Sequence, residues 1–285
     1  MPLTAIALVI IAAALHTGWN VIVKQAQSRQ VFTWWACVAG SLLWLPVFAF
    51  SRSIPARIWP YAVSSALVEA AYFIALVRAY EHGDFSLVYT LARGTAPAML
   101  ALWAILFLGE QPHPIGYAGL LMLLCGLLMV GGGRRLLRRG ASAVAGVGVG
   151  AALAVALCIS IYSAIDAAAV RLMSPAPYTV LTLSLMCLFT TPFVLARYGT
   201  RPLVDEWRAR RGRIILVGVL MQLTYILVLY AYTLWRVSYV GALRELSILF
   251  ATLAGWRWMG EAFGTVRVIG ATLVFVGIVV MSVGG

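Results

Sequence analysis

Residues 106–126, LFLGEQPHPIGYAGLLMLLCG, decide the fold of this chain because residues 257–277, RWMGEAFGTVRVIGATLVFVG, repeat their pattern. Gly109-Glu110, Gly119 and Gly126 recur as Gly260-Glu261, Gly270 and Gly277, each 151 residues later. Upstream, Arg93 recurs as Arg244 at the same separation. Weaker echoes extend the repeat: Glu69-x-x-Tyr72 matches Gln222-x-x-Tyr225, and Ala79-Tyr80 matches Ala231-Tyr232, with offsets that drift to 153 and 152. Both arginines lie inside apolar stretches. A charge in hydrocarbon is costly unless it faces a polar interior with a partner, so such residues are functional candidates by default.

The composition fixes the class. With 63% hydrophobic and 11% charged residues and a mean hydropathy of +0.96, the chain departs from soluble domains, where about a quarter of residues are charged. Runs of roughly 20 apolar residues match the bilayer core at helical rise. Ten such runs are present, at about 3–23, 32–50, 58–80, 85–108, 114–133, 143–170, 177–197, 213–235, 238–259 and 264–283. Continuous apolar character without a period of two argues for helices and against a β-barrel. The first run has no basic residue before it and exceeds a signal-peptide core, so it reads as a retained span.

The net charge of +12 invites a nucleic-acid reading that the charge distribution rejects. Apart from the two repeated arginines, fifteen Lys/Arg fall in alternate loops: Lys24, Arg29, Arg78, Arg134, Arg135, Arg138, Arg139, Arg197, Arg201, Arg208, Arg210, Arg211, Arg213, Arg257 and Arg267. Four (Arg52, Arg57, Arg171 and Arg236) fall on the other side. This is the positive-inside asymmetry of a polytopic membrane protein, and it places both termini outside the cytoplasm. The expected location is a bacterial cytoplasmic (inner) membrane, with anionic lipid contact as a secondary role of the basic loops. Cys37, Cys125, Cys158 and Cys187 all fall within spans and show no ligand spacing. They read as buried apolar thiols, with neither a metal site nor a disulfide framework.

Five spans precede the linker and five follow it. The organisation is repeat 1 over 1–133, a basic linker over 134–140 and repeat 2 over 141–285. Because five is odd, the second unit starts from the opposite side of the membrane. The expected fold is therefore an all-α polytopic protein of ten transmembrane helices in two inverted five-helix repeats, a recurrent plan of secondary transporters with the binding site between the repeats.

Two five-span repeats, each with a Gly-Glu pair closing its fourth span and a glycine-bearing fifth, resemble the EamA family of the drug/metabolite transporter superfamily. The residues that carry the resemblance are Leu106-Phe107-Leu108-Gly109-Glu110 with Gly119 and Gly126, then Trp258-Met259-Gly260-Glu261 with Gly270 and Gly277. The resemblance covers essentially the whole chain and implies a transporter. It leaves the substrate open, since the superfamily spans exporters of amino acids, metabolites and drugs as well as nucleotide-sugar and phosphate exchangers. The segment His16-x-x-Trp19-Asn20-x-x-x-Lys24 is similar to one in a subset of EamA proteins, some linked with phosphonate use.

The candidate site is read span by span. His16, Asn20 and Lys24 are four apart and share a helical face. They form either a cavity wall or an interhelical hydrogen-bonding stripe, with Lys24 reaching toward the interface. Glu69 lies near the midplane of span 3 and faces the same way as Tyr72. In hydrocarbon it must be protonated or paired, which suits either proton coupling or a counter-ion role toward Arg93. Its repeat partner Gln222, followed by Tyr225, keeps the hydrogen bonding without the charge. Span 4 carries Tyr89 and Arg93, and Gly94 and Pro97 either side of Thr95 should kink it there. Arginine offers a planar charged fork suited to carboxylate, phosphate or phosphonate oxygens. Arg244 and Glu245 diverge by about 100° on a helix and should find partners elsewhere. Asp166 of span 6, near Tyr162 and Ser163, aligns with Asn20 and supplies a balancing acid.

The substrate-binding candidates are thus Arg93, Arg244, His16, Asn20, Tyr72, Tyr89, Gln222 and Tyr225, with Glu69, Asp166 and Glu245 as coupling or counter-ion residues. Structural or gating salt bridges among the same charges are the competing reading. The repeated glycines, seven apart, are packing devices. Glu110 and Glu261 end spans 4 and 9, where capping or gating fits better than catalysis. Among the tryptophans, Trp34, Trp35, Trp59, Trp207 and Trp256 cluster near span ends like an interfacial belt. Trp19 and Trp103, with Tyr225 and Tyr232, are candidates to stack on an aromatic solute.

The function expected is a secondary active transporter of a small polar or anionic metabolite (an amino acid, organic acid, or phosphonate or phosphate ester), with protons or a counter-substrate as coupling partner. The alternative is a membrane-embedded transferase or flippase acting on a lipid-linked substrate. The enzyme reading lacks its residues: Asp84, Asp166 and Asp205 are distant from one another, and only three histidines are present. No phosphate loop or nucleotide-binding domain is present, so the expectation is no enzyme, no cofactor and no metal.

Overall fold

The structure, a computed structural model, describes residues 1–50, 54–82, 85–111, 113–139, 147–250, 253 and 265–284. Side chains are described for all of these except 77–82, 85–91, 93, 131–139, 147–149, 267, 282 and 284. The described residues form helices and no strand. In chain order they are α1 (Leu3–Lys24), α2 (Arg29–Trp44), α3 (Trp59–His82), α4 (Phe85–Leu108), α5 (Pro114–Arg139), α6 (Val147–Ala169), α7 (Pro175–Tyr198), α8 (Thr200–Leu234), α9 (Val237–Arg244) and α10 (Thr265–Gly284).

These boundaries follow the apolar runs closely because a backbone in hydrocarbon must bond within its own segment. Local chemistry sets the ends. Ser28 caps α2, its Oγ accepting from Val31 N at 3.4 Å. Gly199, at φ +71°, makes the turn between α7 and α8, a conformation that glycine adopts without a Cβ penalty.

Three elements differ from the sequence expectation. The polar stretch 198–212, expected as a loop, is mostly helical: α8 begins at Thr200 and runs through a kink at Arg210 (φ −138°, ψ 18°). Its first turns are amphipathic, with Leu203 and Glu206 buried and Trp207 against Trp35 at 4.9 Å between ring centroids. The basic run at 134–139, expected as linker, continues the backbone of α5. Span 9 is interrupted: α9 stops at Arg244, Glu245 adopts φ −74° and ψ −1°, and helix resumes over 246–250. Gly260, Glu261, Trp256 and Arg257 lie outside the described residues, as does Asp84.

Six described helices or helical stretches are long and apolar enough to cross a membrane: Leu3–Lys24, Arg29–Phe50, Ala56–Leu76, Gly150–Ala169, Pro175–Tyr198 and Thr200–Leu234. Shorter apolar helices occupy Gly94–Leu108, Pro114–Val130 and Val268–Met281. Large apolar side chains, among them Phe107, Leu121, Leu188 and Phe275, point outward, whereas Ser65, Glu69, Ser160, Ser163, Asp166, Gln222 and Glu245 are buried. A protein surrounded by lipid favours this arrangement, because polar groups find partners only in its interior.

Between apolar helices in lipid, association rests on close packing, and the repeated glycines supply it. A Cβ on Gly126 would lie 2.5 Å from Gly270 O, and one on Gly119 would lie 2.8 Å from Gly277 O. Gly119 meets Gly277 while Gly126 meets Gly270, so α5 and α10 run antiparallel with backbones in contact. Gly40 of α2 and Gly218 of α8 make a second close approach: a Cβ on Gly40 would lie 2.5 Å from Gly218 O. Helices α2 and α7 are also antiparallel: Trp34 Nε1 donates to Thr191 Oγ1 (3.1 Å) and Cys37 Sγ to Leu183 O (3.4 Å). Cys37 and Cys187, distant in sequence, meet at this crossing as buried free thiols.

The main contacts between α1–α5 and α6–α10 map onto themselves when the two sets are exchanged. Helix α3 packs on α6 as α8 packs on α1, α2 on α8 as α7 on α3, and α4 on α6 as α9 on α1. The pairs α2–α7, α4–α9 and α5–α10 each map onto themselves. Sequence repeat and packing pattern agree.

Glycine packing gives a direct check. Gly126→Val should destabilise the folded protein by about 1–3 kcal/mol, the usual cost of overpacking, read as a lower melting temperature in detergent. Gly18→Ala should be neutral or slightly stabilising, since nothing lies within 4 Å of the new Cβ. Equal melting temperatures for Gly126→Val and the unaltered protein would contradict the α5–α10 contact.

Candidate functional site

The polar interior centres on Asp166, which α6 places among α3, α7 and α8. The carboxylate is fully buried and accepts two tyrosine hydroxyls: Tyr178 Oη of α7 at 2.6 Å on Oδ1 and Tyr225 Oη of α8 on Oδ2. Charge-assisted O–H···O⁻ bonds of this kind are among the stronger ones proteins make. One turn back along α6, Tyr162 carries the cluster toward α9, accepting from Arg244 Nη2 at 3.3 Å. The Arg244 guanidinium also lies over the Tyr225 ring, 6.0 Å from its centroid, within cation–π range. Tyr72, Tyr162 and Tyr225 stand edge-to-face in a row, with centroids 6.1 and 6.4 Å apart.

Glu69 of α3 completes the set. It is buried, and its Oε2 has no hydrogen-bond partner among the described residues. It lies within electrostatic reach of both Asp166 and Arg244. Four of the residues singled out in the sequence, Glu69, Asp166, Tyr225 and Arg244, therefore form one constellation with Tyr72 at its edge.

The break after Arg244 shapes the space beside it. A small cavity of about 10 Å³ is lined by Ala96, Pro97 and Leu100 of α4, Ser163 of α6, Tyr232 of α8, and Gly241, Arg244 and Glu245. That is space for about one water. Helix α4 runs unbroken through Pro97, where the sequence predicts a kink. Proline has no N–H to give the carbonyl of residue 93, and the interruption of helix falls in the repeat mate, at Glu245. Among the described residues the Ser163 and Tyr232 hydroxyls that line the cavity have no hydrogen-bond partner.

Other expected site residues sit elsewhere. Asn20 Nδ2 donates to its own helix at His16 O (2.8 Å), and His16 packs edge-on against Trp19 at 4.6 Å. Lys24 is exposed at the end of α1. Gln222 faces α2, where its Nε2 lies 3.5 Å from Ser41 Oγ. Trp103, considered for stacking on a solute, bonds Ser160 Oγ at 2.9 Å instead. Trp34, Trp35 and Trp207 form one aromatic cluster. The side chains of Tyr89 and Arg93 lie outside the described residues, although their backbones belong to α4.

Sequence reasoning missed Tyr178, whose partner lies in the preceding helix and whose own surroundings are ordinary apolar residues. It also missed Thr17, whose Oγ1 lies 3.1 Å from Ser247 O just past the break in span 9. A hydroxyl in an apolar span was the available signal in both cases.

The Gly-Glu motif has a defined place. Gly109, at φ +70°, ends α4 and turns Glu110 toward α9. There the carboxylate accepts from Val237 N, from Ser238 N at 3.3 Å and from Ser238 Oγ at 2.6 Å. A carboxylate of repeat 1 thus caps the helix that carries Arg244 in repeat 2, where it also complements the helix dipole.

No curated protein matches this sequence. A protein known from its crystal structure superposes with a TM-score of 0.76, covering 98% of this chain and 98% of its own, at 18% identity; at that identity the likeness shows a shared fold. The sequence model of the EamA-like transporter family matches residues 3–132 and again 146–283. Two matched units, apolar helices and a buried charged interior lead to one conclusion: this integral membrane protein belongs to the EamA-like transporter family, a branch of the drug/metabolite transporter superfamily.

Proposed function

We propose that the protein is a secondary carrier that moves a small polar or anionic metabolite by alternating access, with Arg244 and Arg93 holding the solute's charged group. The observation that carries this reading is the Arg244 constellation. The guanidinium sits at a helix break beside a cavity with space for about one water, and its one side-chain hydrogen bond among the described residues is to Tyr162. Arginine has five N–H donors, so donors remain for a carboxylate, phosphate or phosphonate. Cavities at broken helices between structural repeats are the usual binding places of such carriers.

The ten helices cross a bacterial cytoplasmic membrane as two inverted five-helix repeats. Support comes from the antiparallel run of the repeat mates α5 and α10 and from the exchange symmetry of the helix contacts. Both termini lie outside the cytoplasm. The polar contacts are consistent with this alternation: Gln25 meets Arg213 (3.2 Å) on the basic side, and Arg236 meets the Gln111 carbonyl (2.9 Å) on the opposite one. Glu69 is the coupling residue, a buried acid that takes up a proton or pairs with a cation according to the state of the cavity. Asp166, held by two hydroxyls, keeps Tyr225 in place beneath Arg244.

In proteoliposomes, Arg244→Ala should raise KM for an anionic solute about 10–100-fold, since bonds to charged groups contribute about 1.5–3 kcal/mol. Arg93→Ala should do the same. Saturable flux unchanged in both variants would remove the arginines from the site. Flux should also respond to an imposed pH gradient, and Glu69→Gln should abolish that response while leaving exchange at equal pH. A pH response that survives Glu69→Gln would move the coupling role to another acid.

A further inference from the structure

Helix α9 is held in an unusual way. It spans eight residues, Val237–Arg244, about 12 Å at helical rise, and its residues from Val237 to Leu243 are buried. Its N-terminus is fixed by a carboxylate from the other repeat: Glu110 bonds two of its backbone N–H groups and the Ser238 hydroxyl. The turn that presents Glu110 is itself secured. Glu110 N donates to Ala104 O at 3.1 Å, Arg236 Nη1 to Gln111 O at 2.9 Å, and Arg171 Nη1 lies 3.5 Å from Leu108 O. At the other end the helix is interrupted: Glu245 N reaches back to Ala242 O and Ile248 N to Glu245 O, the short-range bonds of a turn. Along its length α9 meets α4 at Gly241, where a Cβ would lie 2.4 Å from Leu100 Cδ2.

A short rod with a turn at one end and a carboxylate clamp at the other has the form of a lever. We propose that α9 is the gate of the membrane face on which Glu110 lies, hinged at Glu245 and latched by Glu110 of the opposite repeat, with Arg244 at its inner end. Releasing the latch tilts α9 about the hinge, opens that face, and withdraws Arg244 from Tyr162. Closing it returns the guanidinium to the cavity wall. The Gly-Glu pair then acts as a positioning element: Glu110 touches no solute and works through the helix that carries the binding arginine. This inference rests on the carrier reading for its purpose, but the latch itself can be tested with no solute present.

The test uses the full chain with Cys37, Cys125, Cys158 and Cys187 replaced by alanine and a reporter thiol introduced by Val240→Cys, a fully buried position in the middle of α9. The rate of maleimide labelling in detergent reports how often α9 leaves its seat. Glu110→Ala should raise that rate about tenfold, the factor expected for loss of one helix cap, and Ser238→Ala should raise it less. Glu110→Gln, which keeps an acceptor, should fall between. In proteoliposomes the same variants should change kcat more than KM, because the Arg244 fork is intact. Labelling rates unchanged in Glu110→Ala and Ser238→Ala would overturn the latch even where transport is established. If Glu110→Ala does not fold, Ser238→Ala and Glu110→Gln decide the question. Latch-dependent labelling in a protein that moves no solute would sustain the gate and overturn the carrier reading instead.

Discussion

A charged group inside a bundle of apolar helices has to be met by partners the bundle itself supplies, and Asp166 meets that condition at the centre of this one. Two tyrosine hydroxyls from different helices converge on its carboxylate. This fixes α6 against α7 and α8, and fixes the Tyr225 ring that the Arg244 guanidinium overlies. Tyr162, one turn away, receives Arg244 directly. Removal of the carboxylate would leave two buried hydroxyls without acceptors, a cost of about 1–3 kcal/mol each. The aromatic row and the arginine beside it depend on that anchor.

Around the anchor the structure separates two tasks. The glycine contacts of α5 with α10 and of α2 with α8 bring backbones together where no side chain could fit, which builds the scaffold. Some of the buried polar positions differ between the two units. Glu69 has Gln222 as its mate: the acid lies within electrostatic reach of Asp166 and Arg244, and the amide lies 3.5 Å from Ser41 Oγ. Helix α4 continues through Pro97, while its mate breaks at Glu245.

Much of this was legible in the sequence. The ten apolar runs, the 151-residue repeat and the glycine spacing pointed to the helices and their mates, because hydrocarbon leaves a chain few ways to satisfy its backbone. The charged residues inside those runs identified Glu69, Asp166 and Arg244 as site candidates for the same reason. Less was legible where a partner lies far off in sequence. Tyr178 carries no local mark of its bond to Asp166. His16 and Asn20 share a face as their spacing requires, yet Asn20 bonds its own helix. The stretch 200–209 reads as polar loop, but its inward Leu203, Glu206 and Trp207 find a surface on α1 and α2 that allows helix.

The sequence by itself determined that this is a helical membrane protein of two related units with charges held in its interior, since hydropathy and repetition are local properties that the bilayer converts directly into spans. Only the tertiary structure decided which of those charges meet, because a side chain at any point of a helix can face several neighbours. It placed the break at Glu245 in one unit while Pro97 passes through the other, and it brought Glu110 of the first unit onto the end of the helix that carries Arg244 in the second. Contacts between helices depend on packing angles and rotamers summed over the whole bundle, and no spacing within a single span encodes them.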